Sequence, residues 1–168
     1  AYEALYRNKE LPERQGICTY ILDQADWKNQ VVETAKQVLK KPQYSNQRKT
    51  DLSKFSKSNL DDYKMPSLEG WVKGFADADF VITDSFHGTV FSIIFNKPFI
   101  SLINPSRGAS RFYSIANELG LTHRLLNNYD KNLVDELLST PVDYANVNRK
   151  LGLLVEESER FLLDSLKG

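Results

Sequence analysis

Two short polar segments of the sequence carry the residue types that could act on a substrate. The first, residues 83–88, reads Thr-Asp-Ser-Phe-His-Gly and includes His87, whose side chain exchanges a proton near neutral pH. The second, residues 104–111, contains Arg107 and Arg111, four positions apart. Arginine binds carboxylate and phosphate groups through planar pairs of hydrogen bonds. Together the two segments predict a site that binds a small anion and moves a proton.

The first segment has the features of a helix start. Ser85 is a candidate N-cap ahead of a helix predicted over residues 89–96. The free amides and the dipole at such a helix start favour phosphate or carboxylate, and Gly88 would let a ligand approach the backbone closely. In the alternative interpretation, Ser85 only caps the helix and His87 satisfies a buried carbonyl.

The distribution of charge along the chain supports a role for the second segment in binding an anion. Either arginine alone could be a solvated surface charge. However, residues 85–124 hold four basic residues and one acid, whereas residues 129–168 hold five basic residues and eight acids. The sequence therefore predicts that the basic part of the chain faces the ligand and that the acidic end does not.

The elements that would position these segments alternate between strand and helix. Apolar strand patterns occupy residues 17–22, 80–83, 99–103 and 121–126. Helical patterns occupy residues 27–39, 67–79, 89–96, 112–120, 133–138 and 147–166. Residues 42–64 read as a long polar loop with room for one short strand. This order predicts an α/β fold, a Rossmann-like open parallel sheet with helices on both faces.

In such a sheet, ligands bind beyond the carboxyl ends of the strands. Both polar segments follow predicted strands directly, so we expect them to meet at that edge. Residues 16–168 are predicted to form this single domain, and residues 1–15 are predicted to be a linker or the end of a preceding domain.

Composition excludes several other classes of protein. The chain has 22 Lys and Arg and 22 Asp and Glu, a net charge of 0, which argues against a general nucleic-acid binder. No apolar run approaches the roughly 18 residues of a membrane span. One cysteine and two histidines argue against a disulfide framework and against a structural metal site. Dinucleotide and P-loop glycine motifs are missing, and Ser85 does not lie in the Gly-x-Ser-x-Gly motif of serine hydrolases.

Residues 76–100 resemble the signature of the polysaccharide pyruvyl transferase family. The shared features are an Ala-Asp helix end, an apolar strand, Thr-Asp-Ser-Phe-His-Gly, an apolar helix and Lys-Pro before the next strand. Arg111-Phe112 with Leu119-Gly120-Leu121 is similar to the stretch that follows in the family. The resemblance implies a half of a two-domain fold like that of GT-B glycosyltransferases, here the C-terminal half, with the N-terminal domain lying outside this chain.

The resemblance also implies an activity, the transfer of a pyruvyl group from phosphoenolpyruvate to sugar hydroxyls to form a ketal in bacterial cell-surface polysaccharides. Phosphoenolpyruvate would be the donor, with no separate cofactor or metal, and the acceptor would be a saccharide, free or lipid-linked. His87 would be the general acid, Ser85, Phe86 and Gly88 would bind phosphate, and Arg107 and Arg111 would hold phosphate or carboxylate. The expected location is the cytoplasm, either free or at the inner face of the membrane.

Two alternatives stay open at this point. The chain could be half of a GT-B-type glycosyltransferase that binds a nucleotide sugar, in which case Glu118 is the one acid placed to grip the ribose. It could also be an anion-binding domain that is inactive without its other half.

Overall fold

The computed structural model describes residues 2–105 and 108–167, apart from the side chains of Asp61 and Lys167. Its strands are β1 (Ile17–Tyr20), β2 (Gln43–Ser45), β3 (Phe80–Thr83), β4 (Phe99–Leu102) and β5 (Leu125–Leu126). They form one sheet in the order β2-β1-β3-β4-β5, and every pairing is parallel. The predicted open parallel sheet is therefore confirmed.

Six α-helices in the described ranges cover the two faces of the sheet. They are α1 (Asp26–Leu39), α2 (Leu68–Ala76), α3 (Phe86–Ile94), α4 (Ala109–Leu119), α5 (Lys131–Ser139) and α6 (Tyr144–Lys167). One core lies between the sheet and α1 and α5, and a second core lies between the sheet and α2, α3, α4 and α6. Strand β3 contributes to both, since Ile82 packs in the first core and Val81 in the second.

Several predicted elements differ in extent from the structure, and three of them bear on the site or on the ends of the sheet. Helix α3 begins at Phe86 rather than at residue 89, because Ser85 caps it. Strand β5 is limited to two residues, because Thr122–Arg124 forms a 3-10 turn ahead of it. The polar loop over residues 42–64 contains β2 and two 3-10 helices, Leu52–Lys54 and Lys57–Tyr63.

The segment before β1 packs along the outside of α2 and α3. The ring of Tyr2 lies edge-on to that of Phe91, with centroids 5.3 Å apart. Further along, the amide of Arg14 donates to the Asp77 carboxylate at 3.2 Å. None of the helices in the part of the chain that the structure describes is both long enough and apolar enough to cross a membrane.

Candidate active site

The turn from β3 into α3 is held by a chain of hydrogen bonds across the sheet. Thr83 Oγ1 donates to the carbonyl of Tyr20 in the neighbouring strand at 2.7 Å, and it accepts from the amide of Ser85 at 3.1 Å. Ser85 Oγ in turn accepts from the amide of Gly88 at 3.5 Å. The buried Ser85 is therefore the N-cap that the sequence predicts, and it fixes where the helix begins.

Gly88 is required by packing inside the protein. It is buried, and a Cβ atom at this position would lie 2.3 Å from Thr83 Oγ1. The sequence interpretation that Gly88 admits a ligand to the backbone needs this correction, since the group that approaches Gly88 closely is the side chain of Thr83. The absence of a side chain at Gly88 lets the first turn of α3 sit directly on the end of β3.

His87 is exposed in the first turn of α3. Its ring centroid lies 6.2 Å from that of Phe86, its neighbour in the chain. Because the His87 side chain is exposed, the alternative in which it donates a hydrogen bond to a buried carbonyl is excluded. Among the residues that the structure describes, no acceptor bonds the amides of Phe86 and His87, so the start of α3 presents two free N–H groups beside an exposed imidazole.

Arg111 is brought to the same place by α4. Its guanidinium carbon lies 5.1 Å from the centroid of the Phe86 ring, a cation–π contact. Phe86 is held from another side by Phe112, with ring centroids 5.7 Å apart. The structure thus joins His87 and Arg111 through the Phe86 ring, as the meeting of the two polar segments predicts. Arg107, the other predicted arginine, lies outside the described residues.

The turn into α4 bends so that Arg111 can fold back. Gly108 has φ of +65°, a left-handed conformation that favours glycine. A Cβ atom at Gly108 would lie 3.2 Å from Arg111 Nη2, so the guanidinium lies directly over this glycine. The cation is therefore placed by the shape of the turn as well as by the aromatic ring.

Asp84 and Lys28 form a buried ion pair behind this site, which sequence reasoning missed. Lys28 Nζ lies 2.6 Å from Asp84 Oδ2, and the two side chains are 3% and 1% exposed. Asp84 also accepts from the amides of Leu22 and Asp23, at 2.6 and 3.0 Å. One carboxylate therefore fastens the β1–α1 loop to the residue before Ser85. The available signal was that Lys28 shares the helical face of Val31 and Ala35, where a cation needs a partner.

The predicted clustering of basic residues at the ligand edge is wrong for Lys97 and Arg124. Lys97 precedes β4 and therefore lies at the amino ends of the strands, where burial lowers its pKa. Arg124 precedes β5 at the same edge and is 0% exposed, donating to the carbonyls of Leu137 and Thr140. Counting charges along the chain cannot show which edge of a sheet they reach, because each helix carries the chain from one edge to the other.

Two comparisons with known proteins bear on the family and on the fold of this chain. A profile of the family described as polysaccharide pyruvyl transferase matches residues 18–106, slightly more than half of the chain. A solved structure, that of the spinosyn forosaminyltransferase SpnP, superposes on 92% of this chain with a TM-score of 0.50 and 14% sequence identity. At that identity the likeness shows the fold alone, and this fold is GT-B-like. The chain spans 42% of the length of that glycosyltransferase, and no curated protein sequence gives a significant match.

Proposed function

The chain belongs to the polysaccharide pyruvyl transferase family, and we propose that it transfers a pyruvyl group from phosphoenolpyruvate to two hydroxyls of a saccharide. The product is a cyclic ketal, and phosphate is released. The observation that carries this proposal is the exposed His87 at the start of α3, next to Arg111 on the Phe86 ring. A transferase family and a GT-B-like fold support it.

The reaction balances with phosphoenolpyruvate and a diol alone. The methylene carbon of phosphoenolpyruvate takes up a proton and becomes a methyl group, while the first hydroxyl oxygen adds to C2. The C2–O bond to phosphate then breaks, the second hydroxyl oxygen bonds to C2, and the ketal closes. The two protons lost by the hydroxyls are accounted for by the new methyl group and by the departing phosphate.

The residues at the start of α3 can meet the charges of this donor. The free amides of Phe86 and His87 and the helix dipole suit its phosphate. The Arg111 guanidinium suits its phosphate or its carboxylate. His87 is then the proton donor, to the methylene carbon or to the phosphate oxygen. Ser85 and Gly88 contribute by fixing this turn, through the cap and through the close packing on Thr83.

The remaining parts of the proposal concern the protein beyond this chain. Since the chain spans 42% of the solved glycosyltransferase, we place acceptor binding partly in a preceding Rossmann-like domain. We place the reaction in the cytoplasm, where phosphoenolpyruvate is available, with an acceptor that is free or carried on a lipid at the inner face of the membrane. The polymer served is a bacterial cell-surface polysaccharide.

The position of Glu118 argues against the alternative of a nucleotide-sugar site, in which this residue would bind the ribose. Glu118 lies in the last turn of α4, whereas Arg111 lies in the first, so Glu118 is at the opposite edge of the sheet from His87. A ribose bound next to the start of α3 would be out of its reach.

The direct test uses phosphoenolpyruvate labelled with ¹³C at C3 and saccharides prepared from the surface polysaccharide of the source organism. The full-length protein should release phosphate only when saccharide is present, and the labelled methylene should reappear as a methyl group in a ketal. Transfer from a nucleotide sugar without consumption of phosphoenolpyruvate would contradict the proposal. Running this chain alone beside the full-length protein shows whether the half is active by itself.

Arg111 offers a test of donor binding. Arg111→Ala should raise the KM for phosphoenolpyruvate by about 10- to 100-fold, the loss of one charge-assisted pairing. Arg149→Ala, an exposed arginine on α6, is the matched control and should leave that KM unchanged. An unchanged KM in Arg111→Ala would remove this residue from the site.

A further inference from the structure

A groove of about 490 Å³ lies beside the candidate active site, under the polar loop that follows β2. Its walls include Tyr20, Leu22, Arg48, Met65, Leu68 and Trp71. The volume and the mainly apolar walls with a few polar groups are typical of small-molecule sites. None of these side chains has a role in the proposed handling of phosphoenolpyruvate.

Two residues of the groove, Tyr20 and Leu22, are joined by the sheet and by a hydrogen bond to the residues that precede the candidate active site. Tyr20 pairs with Thr83 in the register of β1 and β3, and neighbouring strands lie about 4.8 Å apart. The amide of Leu22 donates to Asp84 Oδ1 at 2.6 Å, and Asp84 directly precedes the Ser85 cap. A ligand in the groove would therefore contact residues that are bonded directly to the turn that leads into α3.

The aromatic wall of the groove is packed against other aromatic rings of the protein. The Trp71 ring is packed edge-on against Phe75 and Phe91, with centroids 4.9 and 5.1 Å away. Tyr20 packs edge-on against Trp71 at 5.5 Å. Since these rings are already ordered by the core, a ligand that packs on them would lose little binding energy to ordering the protein.

The polar ends of the groove residues are available to a ligand. Within the part of the chain that the structure describes, the Trp71 indole N–H and the Tyr20 hydroxyl make no hydrogen bond, and neither is buried. The exposed Arg48 guanidinium makes no ion pair with any described residue. The groove thus offers apolar surface together with three unused hydrogen-bonding groups.

We propose that this groove binds a saccharide ring of the acceptor, an inference that rests on the proposed function. A sugar ring presents apolar C–H faces and a rim of hydroxyls, which match the apolar walls and the free donors respectively. Phosphoenolpyruvate is too polar and too highly charged for these walls. A hydrocarbon tail would leave the groups on Trp71, Tyr20 and Arg48 without partners.

The two tryptophans of the chain allow a direct test by fluorescence. Trp27→Phe leaves Trp71 as the single reporter, and Trp71→Phe leaves Trp27, which lies on α1 against the other core. Both variants of this chain are titrated with the methyl glycosides of galactose, glucose and mannose up to tens of millimolar, the range of weak monosaccharide sites. We expect at least one glycoside to give a saturable change in the Trp71 signal and none in the Trp27 signal.

A second variant tests whether the signal comes from the groove. In the Trp27→Phe background, Arg48→Ala should weaken glycoside binding by about 10-fold, as expected for one hydrogen bond to a charged group. Arg149→Ala in the same background should leave binding unchanged. Equal weakening by both substitutions would contradict the proposal.

The remaining outcomes separate this inference from the proposed function. Saturation of the Trp71 signal by uridine diphosphate and by no glycoside would overturn the inference, because the groove would then be a nucleotide site. The absence of any glycoside response would overturn it as well, even where the full-length protein forms the ketal. Glycoside binding in a protein that consumes no phosphoenolpyruvate would support the saccharide groove and refute pyruvyl transfer.

Discussion

A histidine and a buried cation lie at each end of the parallel strands, here called the carboxyl edge and the amino edge of the sheet. The buried cation is compensated differently at the two edges. At the carboxyl edge, His87 is exposed and Lys28 is buried, with its charge paired with Asp84. At the amino edge, His123 lies next to the buried Arg124, whose charge is met by backbone carbonyls. Burial lowers the pKa of Arg124, and the pKa of His123 is lowered by burial first and by Arg124 second.

The buried cation has a different structural role at each edge. The carbonyls that accept hydrogen bonds from Arg124 belong to the last turn of α5 and to its C-cap, Thr140. This cation therefore stabilises the C-terminus of α5. Lys28 and Asp84 instead join α1, the loop after β1 and the turn before α3. At the carboxyl edge this network leads to the N-terminus of the α-helix α3, where free amides lie beside the exposed His87, whereas His123, which is also exposed, lies in the short 3-10 turn Thr122–Arg124.

The largest effect on stability is expected from Asp84→Ala. This change leaves the Lys28 charge buried with the Asp23 carbonyl and the Trp27 ring as its neighbours and no opposite charge, and it removes the acceptor of two backbone amides. The free energy of unfolding should fall by about 3–5 kcal/mol, as measured by urea denaturation. The double substitution Lys28→Met with Asp84→Ala should recover part of the loss, because no buried charge then remains unpaired.

Asp79→Ala is the matched control for this prediction. Asp79 makes an exposed ion pair with Lys41 at 2.9 Å, and exposed pairs contribute little. If Asp84→Ala were no more destabilising than Asp79→Ala, the buried pair would not be what holds the carboxyl edge together.

A smaller effect is expected from Arg124→Met at the amino edge. The substitution removes two charge-assisted hydrogen bonds to carbonyls, but it also removes a buried cation whose Nε has no acceptor among the described residues. The free energy of unfolding should therefore fall by about 1–2 kcal/mol. Turnover per folded molecule should be unchanged, and a fall in turnover without loss of stability would contradict the contrast between the edges.

The smallest effect concerns the pH dependence of stability and His123. Its folded pKa lies below the ordinary value, so between about pH 7 and pH 5 the unfolded chain takes up a proton that the folded chain resists. Stability present above the ordinary pKa is lost as the pH falls. His123→Gln should reduce this loss in urea midpoints measured across that interval, and a midpoint difference that grows in the variant would contradict it.

Much of the fold follows from pattern, whereas the site depends on contacts that no local pattern contains. The strand at residues 80–83 and the Ser85 cap are local features, and both appear as predicted. The pairing of Lys28 with Asp84 joins residues 56 positions apart, and only the order of the strands brings them together. For the same reason, Lys97 and Arg124 had the right charge to meet the ligand but lie at the amino edge.

Gly88 illustrates a second kind of limit. A glycine after a histidine at a helix start is compatible with close approach by a ligand or by another part of the protein. The sequence cannot distinguish these cases, because the position of Thr83 Oγ1 depends on how β3 meets α3. The contact of Arg111 with Phe86 was foreseen only as a meeting of two segments, since the ring contact depends on the turn at Gly108.

The proposed function requires His87, at the carboxyl edge, to move a proton, and it gives His123, at the amino edge, no part in the reaction. The most direct measurement compares His87→Ala with His123→Ala in the full-length protein, following saccharide-dependent release of phosphate from phosphoenolpyruvate. We predict that kcat falls by about 100-fold or more in His87→Ala, the usual contribution of a general acid, with the unfolding free energy unchanged. His123→Ala should keep its turnover, and an unimpaired His87→Ala or an equal loss in both variants would contradict the account.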